Sequence, residues 1–406
     1  MSTLLPWRAA EADTAVPQGM LRPDYAGGSI VNLMTTLLTA MGTADTGYAP
    51  LRDLPASRLR EARSIVLLVI DGLGYEHLQR SKSTAVTLHR HLSGRITSVF
   101  PTTTATAITT FLTGLAPQEH AITGWFIYFK EIGSVTAVLP FRARSGGAGR
   151  ETDDIDVAAL VGHPPVFDRI DRQCYCLVPE RIAKSHFNAA HMGRARVRTH
   201  TSLTQMFNTL RDLLTRDGAS KYIYAYWPQV DTLSHAHGIA SSQVRTHLAQ
   251  VDSAFRGFLR SIEGTGAAIV VTADHGVIDS DPGHRVELDD HPLLAQTLML
   301  PLCGDSRVAY CYVHPAHTDA FQHYVRSRLA DRALLFRSRD LVSGSLFGLG
   351  TPHPRLLERI GHYTLIMKGN FTIKDWVLGE QHYTHVGAHS GLSPEELYVP
   401  LIVAEV

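Results

Sequence analysis

Cysteine is scarce: Cys174, Cys176, Cys303 and Cys311 are the four in a chain of 406 residues. None has the paired CxxC spacing of a zinc knuckle, and four thiols over such a length make no disulfide framework. Reduced, buried thiols are the expectation. Net charge is lacking too, since Lys plus Arg and Asp plus Glu each total 38. No overall field draws the chain to nucleic acid or anionic lipid, so an anionic substrate has to be held locally. No apolar run reaches membrane-spanning length, and the N-terminal "MSTLLPWRAAEADTAVPQG" has acidic residues where a signal peptide would be apolar. These absences predict a soluble, cytoplasmic protein with neither a membrane nor a nucleic-acid polymer as partner.

What is present is the material of a core. Apolar residues make up 44% of the chain and charged residues 19%, a globular composition. The length allows two or three ordinary units or one elaborated α/β domain. Histidine is plentiful, with 22 residues against 8 Met and 4 Trp, which directs attention to metal ligands.

Three short apolar runs, "SIVLLVIDG" (64–72), "KYIYAYWPQVD" (221–231) and "AAIVVTADHG" (267–276), are bounded by turn or polar residues. Unalternating runs of this length suit strands buried on both faces of a parallel sheet. "ITSVFP" (96–101) is a further strand, and "LYVPLIVAEV" (397–406) is placed to close the sheet. In "SSQVRTHLAQVDSAFRGFLRSIEG" (241–264), Val244, Leu248, Val251, Phe255 and Leu259 recur at helical spacing, predicting an amphipathic helix. Strand, helix, strand indicates an α/β layer architecture. The segments at about 131–220, with a flexible "RARSGGAGRETDD" at 142–154, and at about 286–380 are read as insertions in a single domain spanning 1–406.

Asp71 follows the first apolar run, Asp274 and His275 end the third, and Asp231 lies just beyond the second. Ligands bind outside the carboxyl ends of strands in open α/β sheets, so these distant residues should meet on one edge. His235 lies four residues after Asp231, one helical turn away, where an Asp and a His can grip one metal. Each piece alone has a plain structural reading as a cap or turn residue. Their coincidence on one edge, with mixed oxygen and nitrogen ligands, is what a metal requires. "FPTTTATAITTFLTGL" (100–115) reads as a strand-to-helix turn ending in Gly114, a natural helix C-cap, with Ala105, Ile108 and Leu112 on one face. A hydroxyl at that helix N-terminus would meet an anion, and metal coordination is one way to activate a threonine. Spacing alone does not choose among Thr102, Thr103 and Thr104.

The blocks "LLVIDGLG", "FPTTTATAITTFLTGLAPQEHAITG", "DTLSHAHG", "TADHG" and "GAHSGLSPEELYVPLI", taken in order, resemble the alkaline phosphatase superfamily, closest to its nucleotide pyrophosphatase/phosphodiesterase branch. The resemblance implies a three-layer α/β core with a mostly parallel central sheet and inserted subdomains. It implies two divalent metal ions, zinc first and manganese as the alternative. One would be held by Asp231, His235 and His389, the other by Asp71, Asp274, His275 and Thr104. His385 and His382 compete with His389, which the G-x-H-x-G setting favours. Thr104, the second threonine of F-P-T-x-T, is the implied nucleophile, forming a phosphothreonine that water then hydrolyses, on a small-molecule phosphate ester.

One position departs from the branch. Its phosphate-binding asparagine aligns with Trp125, and no Asn occurs between Asn32 and Asn188. Another donor, a backbone N–H near Thr104 or a side chain from an insertion, has to do that work, or the substrate differs. For Trp125, packing stands ahead of stacking on a leaving group. The missing C/S-x-P-x-R signature argues against a sulfatase, and threonine in place of serine against a cofactor-independent phosphoglycerate mutase. A phosphomonoesterase or phosphoryl-group transferase on the same site is the alternative, and a catalytically silent binding protein is the alternative of another class.

Overall fold

The computed structural model describes residues 20–43, 47–145, 155–380 and 382–406. The N-terminal stretch read for a signal and residues 146–154 of the glycine-rich segment lie outside the described residues. The main sheet has seven strands: β1 (Ser64–Ile70), β2 (Leu92–Thr97), β3 (Gln173–Pro179), β4 (Arg196–His200), β5 (Lys221–Trp227), β6 (Ala267–Thr272) and β7 (Tyr398–Glu405). Their spatial order is β2-β7-β6-β1-β5-β3-β4.

β1 sits at the centre, parallel to β5 on one side and β6 on the other. Every residue of these three strands is buried, which is why they carry unbroken apolar runs rather than alternation. The last strand does not close the sheet as its place in the sequence suggests. β7 lies inside, antiparallel to both β2 and β6. Because it runs against its neighbours, the residues just before β7 reach the same edge as those just after β1, β5 and β6.

Two helices position functional residues at that edge, and a third covers the sheet: α1 (Thr104–Thr113), α2 (Gln229–His237) and α3 (Ser242–Ser261). The predicted stripe of α3 is observed, with Val244, Leu248, Val251, Phe255 and Leu259 all buried in the main core. α1 ends at Gly114, whose φ of +73° is the left-handed C-cap expected there. Its threonines are not surface residues: Thr106, Thr109, Thr110 and Thr113 are all buried. Thr109 and Thr113 turn their hydroxyls back onto the Ala105 and Thr109 carbonyls, at 2.7 Å each, which removes their polar cost inside the core.

The stretch at about 131–220 is corrected. β3 and β4 fall inside it and belong to the main sheet, β3 pairing in parallel with β5. β4 is the outermost strand, mostly exposed and rich in Arg, so it shows no apolar run to read. The segment at about 286–380 contributes to a second, antiparallel seven-stranded sheet, in which strands 303–304, 308–311, 333–337 and 363–367 join 126–129, 134–137 and 142–143. This sheet has its own apolar clusters around Phe321 and Tyr310. The four cysteines are free and buried. No helix among the described residues is long and apolar enough to cross a membrane.

Candidate active site

The carboxyl ends of the parallel strands converge as the topology predicts. Asp71 extends β1 and donates its backbone N–H to the Trp227 carbonyl at 2.9 Å. The Asp231 N–H reaches back to the Asp71 carbonyl at 3.1 Å, which fixes the start of α2 against β1. Between them Gly72 has φ +75°, and a Cβ there would lie 2.9 Å from the Asp231 Cβ, so only glycine fits. Asp274 binds across the gap, its Oδ1 accepting from the Gly72 and His275 backbone N–H groups at 3.1 and 3.0 Å.

Three carboxylates thus sit together. Asp71, Asp231 and Asp274 are all buried, and Asp71 is held well above the usual carboxylate range by burial, then by the charges of Asp274 and Asp231. Tyr226 donates its hydroxyl to Asp71 Oδ2. Asp71 Oδ1, Asp231 Oδ1 and Asp274 Oδ2 have no hydrogen-bond partner among the described residues. Buried anionic oxygens without donors call for a cation.

The imidazoles are arranged to match. His235, His275 and His389 each donate Nδ1–H to a backbone carbonyl, those of Gly387, Gly276 and Thr102, at 2.8, 3.0 and 3.1 Å. A carbonyl can only accept, so Nδ1 is the protonated nitrogen in all three and Nε2 is the one a neutral ring offers to a metal, the arrangement that orients metal-binding histidines. Each Nε2 faces the carboxylates: His235 is 3.3 Å from Asp231 Oδ2, His275 is 3.5 Å from both Asp71 Oδ1 and Asp274 Oδ2, and His389 is 3.9 Å from Asp231 Oδ1. Burial and the neighbouring His275 and His235 hold His389 well below its ordinary value, so it stays neutral. Two groups of ligand atoms lie close enough to share an ion: Asp231, His275 and His389, and Asp71, Asp274 and His275. The residues present therefore fit divalent cations. Of the competitors to His389, His382 stacks on Trp376 and His385 packs its ring on His235.

The three threonines separate by what their hydroxyls touch. Thr102 Oγ1 donates to the Gly391 carbonyl at 2.8 Å, and Thr103 Oγ1 to Asp305 Oδ1 at 3.1 Å. Thr104 Oγ1 lies 3.1 Å from His275 Nε2, beside the carboxylates. Thr103 is the N-cap of α1 but makes no side-chain cap, so the N–H groups of the first turn stay open to an anion. His120 is buried with its Nε2 3.2 Å from the Thr110 hydroxyl. His237 is exposed.

A cavity of about 1490 Å³ opens from this cluster, lined by Thr104, Asp71, Asp231, His235 and His389 at one end and by residues of the second sheet. A model of the Type I phosphodiesterase / nucleotide pyrophosphatase family matches residues 65–391, which span the whole of this cluster. The chain belongs to this family. Type I phosphodiesterases / nucleotide pyrophosphatases are phosphoester hydrolases, and this member is one in class. Its fold is similar to murine ectonucleotide pyrophosphatase/phosphodiesterase 5, with 14% identity over 83% of this chain and 87% of that one and a TM-score of 0.64. The same murine protein as an inactive threonine-to-alanine variant in complex with AMP gives 15% identity, the same coverage and a TM-score of 0.63. Phosphonoacetate hydrolase from Sinorhizobium meliloti 1021, in complex with phosphonoformate, matches at 17% identity over 84% of this chain and 90% of that one, TM-score 0.60. No curated protein matches the sequence.

Sequence reasoning missed two residues of this family member's site. Tyr226 was visible in principle, since Tyr222, Tyr224 and Tyr226 alternate along β5 and share one face. Asp305 carries no local signal. It is half-buried, lines the cavity, and accepts from Thr103 Oγ1 and from the Trp125 backbone N–H, both at 3.1 Å. Burial pushes its carboxyl up to about 6. Trp125, at the place of the absent asparagine, is half-buried and lines the cavity.

Proposed function

We propose that the protein is a two-metal phosphodiesterase or pyrophosphatase in which the Thr104 hydroxyl attacks phosphorus. Asp231, His235 and His389 would hold one divalent cation and Asp71, Asp274 and His275, with Thr104, the other, zinc being the first choice. The observation that carries this reading is that Thr104 is the one hydroxyl of its turn facing three buried carboxylates with unpartnered oxygens, beside three imidazoles that turn Nε2 toward those carboxylates. The murine relative that is inactive with a threonine replaced by alanine is consistent with it.

Bound cations supply charge stabilisation for the attacking and leaving oxygens and lower the pKa of a coordinated hydroxyl. The chain does the rest. Thr104, at the first position of α1, gives up its hydroxyl proton to solvent as its oxygen forms a bond to phosphorus, and the bond from phosphorus to the leaving oxygen breaks, its electron pair departing with that oxygen. The open N–H groups of the first turn of α1 face a non-bridging phosphoryl oxygen and take over the work of the absent asparagine. Water then cleaves the phosphothreonine and restores the hydroxyl. The test is hydrolysis of bis-p-nitrophenyl phosphate by the zinc-loaded protein, wild type against Thr104→Ala. Full activity in a folded Thr104→Ala protein overturns the nucleophile.

A further inference from the structure

The cavity is larger than its catalytic end needs. At about 1490 Å³ it exceeds the roughly 300–1,000 Å³ usual for small-molecule sites, so most of it faces the part of the substrate that leaves. Its charge is also uneven. Beyond the metal-ligand cluster its lining has six Lys and Arg side chains and three carboxylates, in a chain whose overall charge is zero.

Those cations fall into two sets. Arg144 is buried and bound by Asp375 at 2.8 Å and Glu380 at 3.0 Å, and its other nitrogen donates to the Leu302 carbonyl. Lys374 reaches Glu380 at 3.4 Å and donates to the Tyr383 hydroxyl at 3.0 Å, and Arg285 lies 3.5 Å from Glu287. This wall is internally neutralised. Arg142, Arg181 and Lys184 are different: all three line the cavity and are exposed, and none of their side chains makes an ion pair or hydrogen bond with a described residue. Arg181 and Lys184 follow the carboxyl end of β3, the edge where β5 and α2 deliver Asp231 and His235. Arg142 comes from the second sheet, from the two-residue strand that pairs with Thr136 and Ala137. Three like charges from two separate sheets lining one cavity, without counter-ions among the described residues, focus a positive field into it.

We infer that Arg142, Arg181 and Lys184 form a subsite for a second anionic group, a carboxylate or a phosphate, carried by the leaving part of the substrate. The inference rests on the proposed hydrolysis only in placing the first anionic group at Thr104. The preferred substrate is then a phosphate ester with a charged tail, held at both ends, and a neutral tail is the poorer one.

Calorimetry on the zinc-loaded protein tests this without turnover. The probes are alkylphosphonates, the matching α,ω-alkane bisphosphonates and ω-carboxyalkylphosphonates over a range of chain lengths. At one length the second charge tightens binding about tenfold or more, equivalent to about 1.4 kcal/mol, and the gain shrinks as salt rises. In Arg142→Ala/Arg181→Ala/Lys184→Ala the ratio of the two affinities falls to near one. The carboxylate and bisphosphonate arms distinguish which anion the subsite takes. The inference is overturned if no length shows a gain or if the triple variant keeps it. Hydrolysis of bis-p-nitrophenyl phosphate, measured in parallel, separates failure of the subsite from failure of the proposed reaction. A protein that binds none of the probes overturns both.

Discussion

Asp305 accepts a hydrogen bond from the side chain of Thr103, the residue immediately before Thr104. The contact joins the second sheet to the turn that carries the proposed nucleophile, and the other oxygen of Asp305 fixes the Trp125 backbone. Asn fits the same two partners, its carbonyl accepting from the Trp125 N–H and its amide donating to Thr103 Oγ1. Asp305→Ala is therefore expected to lower kcat on bis-p-nitrophenyl phosphate by about tenfold, since small misplacements of reacting groups are costly. Asp305→Asn restores most of it. Equal losses in both variants would argue against positioning.

The same carboxyl makes stability depend on pH. Its folded value of about 6 lies above the ordinary 3.8, so its proton binding favours the fold fully below about pH 4 and that contribution is lost as pH rises through 6. Asn does not titrate. In thermal melts of the metal-free protein, Asp305→Asn should gain on wild type between about pH 4 and 6, with the gap then level up to pH 8. A gap that ignores pH sinks this account.

Metal loading should act as a large stabiliser. Burial, and then the charges of Asp274 and Asp231, raise Asp71, so the metal-free fold loses stability as pH rises and Asp71 ionises. Zinc reverses this by binding the ionised form, adding about 2.7 kcal/mol at a hundredfold excess over its Kd. Elemental analysis of the purified protein gives the stoichiometry, with two ions expected. No bound metal, and none taken up from added zinc, would favour the catalytically silent reading.

Thr104→Ala is expected to reduce hydrolysis by on the order of a thousandfold or more while the melting curve stays near wild type. Thr103→Ala should cost far less, because its hydroxyl serves Asp305. If the order of these two losses is reversed, the nucleophile has been misassigned.

The loop holding His389 depends on a buried ion pair. Arg307 Nε and Nη2 donate to Glu396 Oε1 and Oε2 at 2.7 and 3.0 Å, and Glu396 Oε1 also accepts from the Gly391 N–H at 2.7 Å. Arg307→Ala leaves the carboxylate buried and unpaired, which costs about 3–5 kcal/mol by urea denaturation. Activity should fall with it, because Gly391 lies two residues from His389. A loss under 1 kcal/mol would show that the pair contributes little.

The sequence by itself determined the α/β class, the three central strands, the α3 stripe and the edge at which Asp71, Asp231, Asp274 and His275 gather. Strands buried on both faces must be apolar throughout, and their ends must be polar, so both signals survive in one dimension. It missed β4, a mostly exposed outer strand without an apolar run, and β3, whose buried run Cys174–Pro179 lies inside the stretch read as an insertion. Three equivalent threonines stayed equivalent until a resemblance nominated Thr104. Only the tertiary structure gave Thr102 and Thr103 other partners, through Gly391 and Asp305. It also decided which nitrogen of each histidine faces the carboxylates, through carbonyls as distant as Thr102 from His389. Asp305 and the three cations unpaired among the described residues belong to the same class of fact. Their meaning lies in what they face across a cavity, and spacing along a chain carries no record of that.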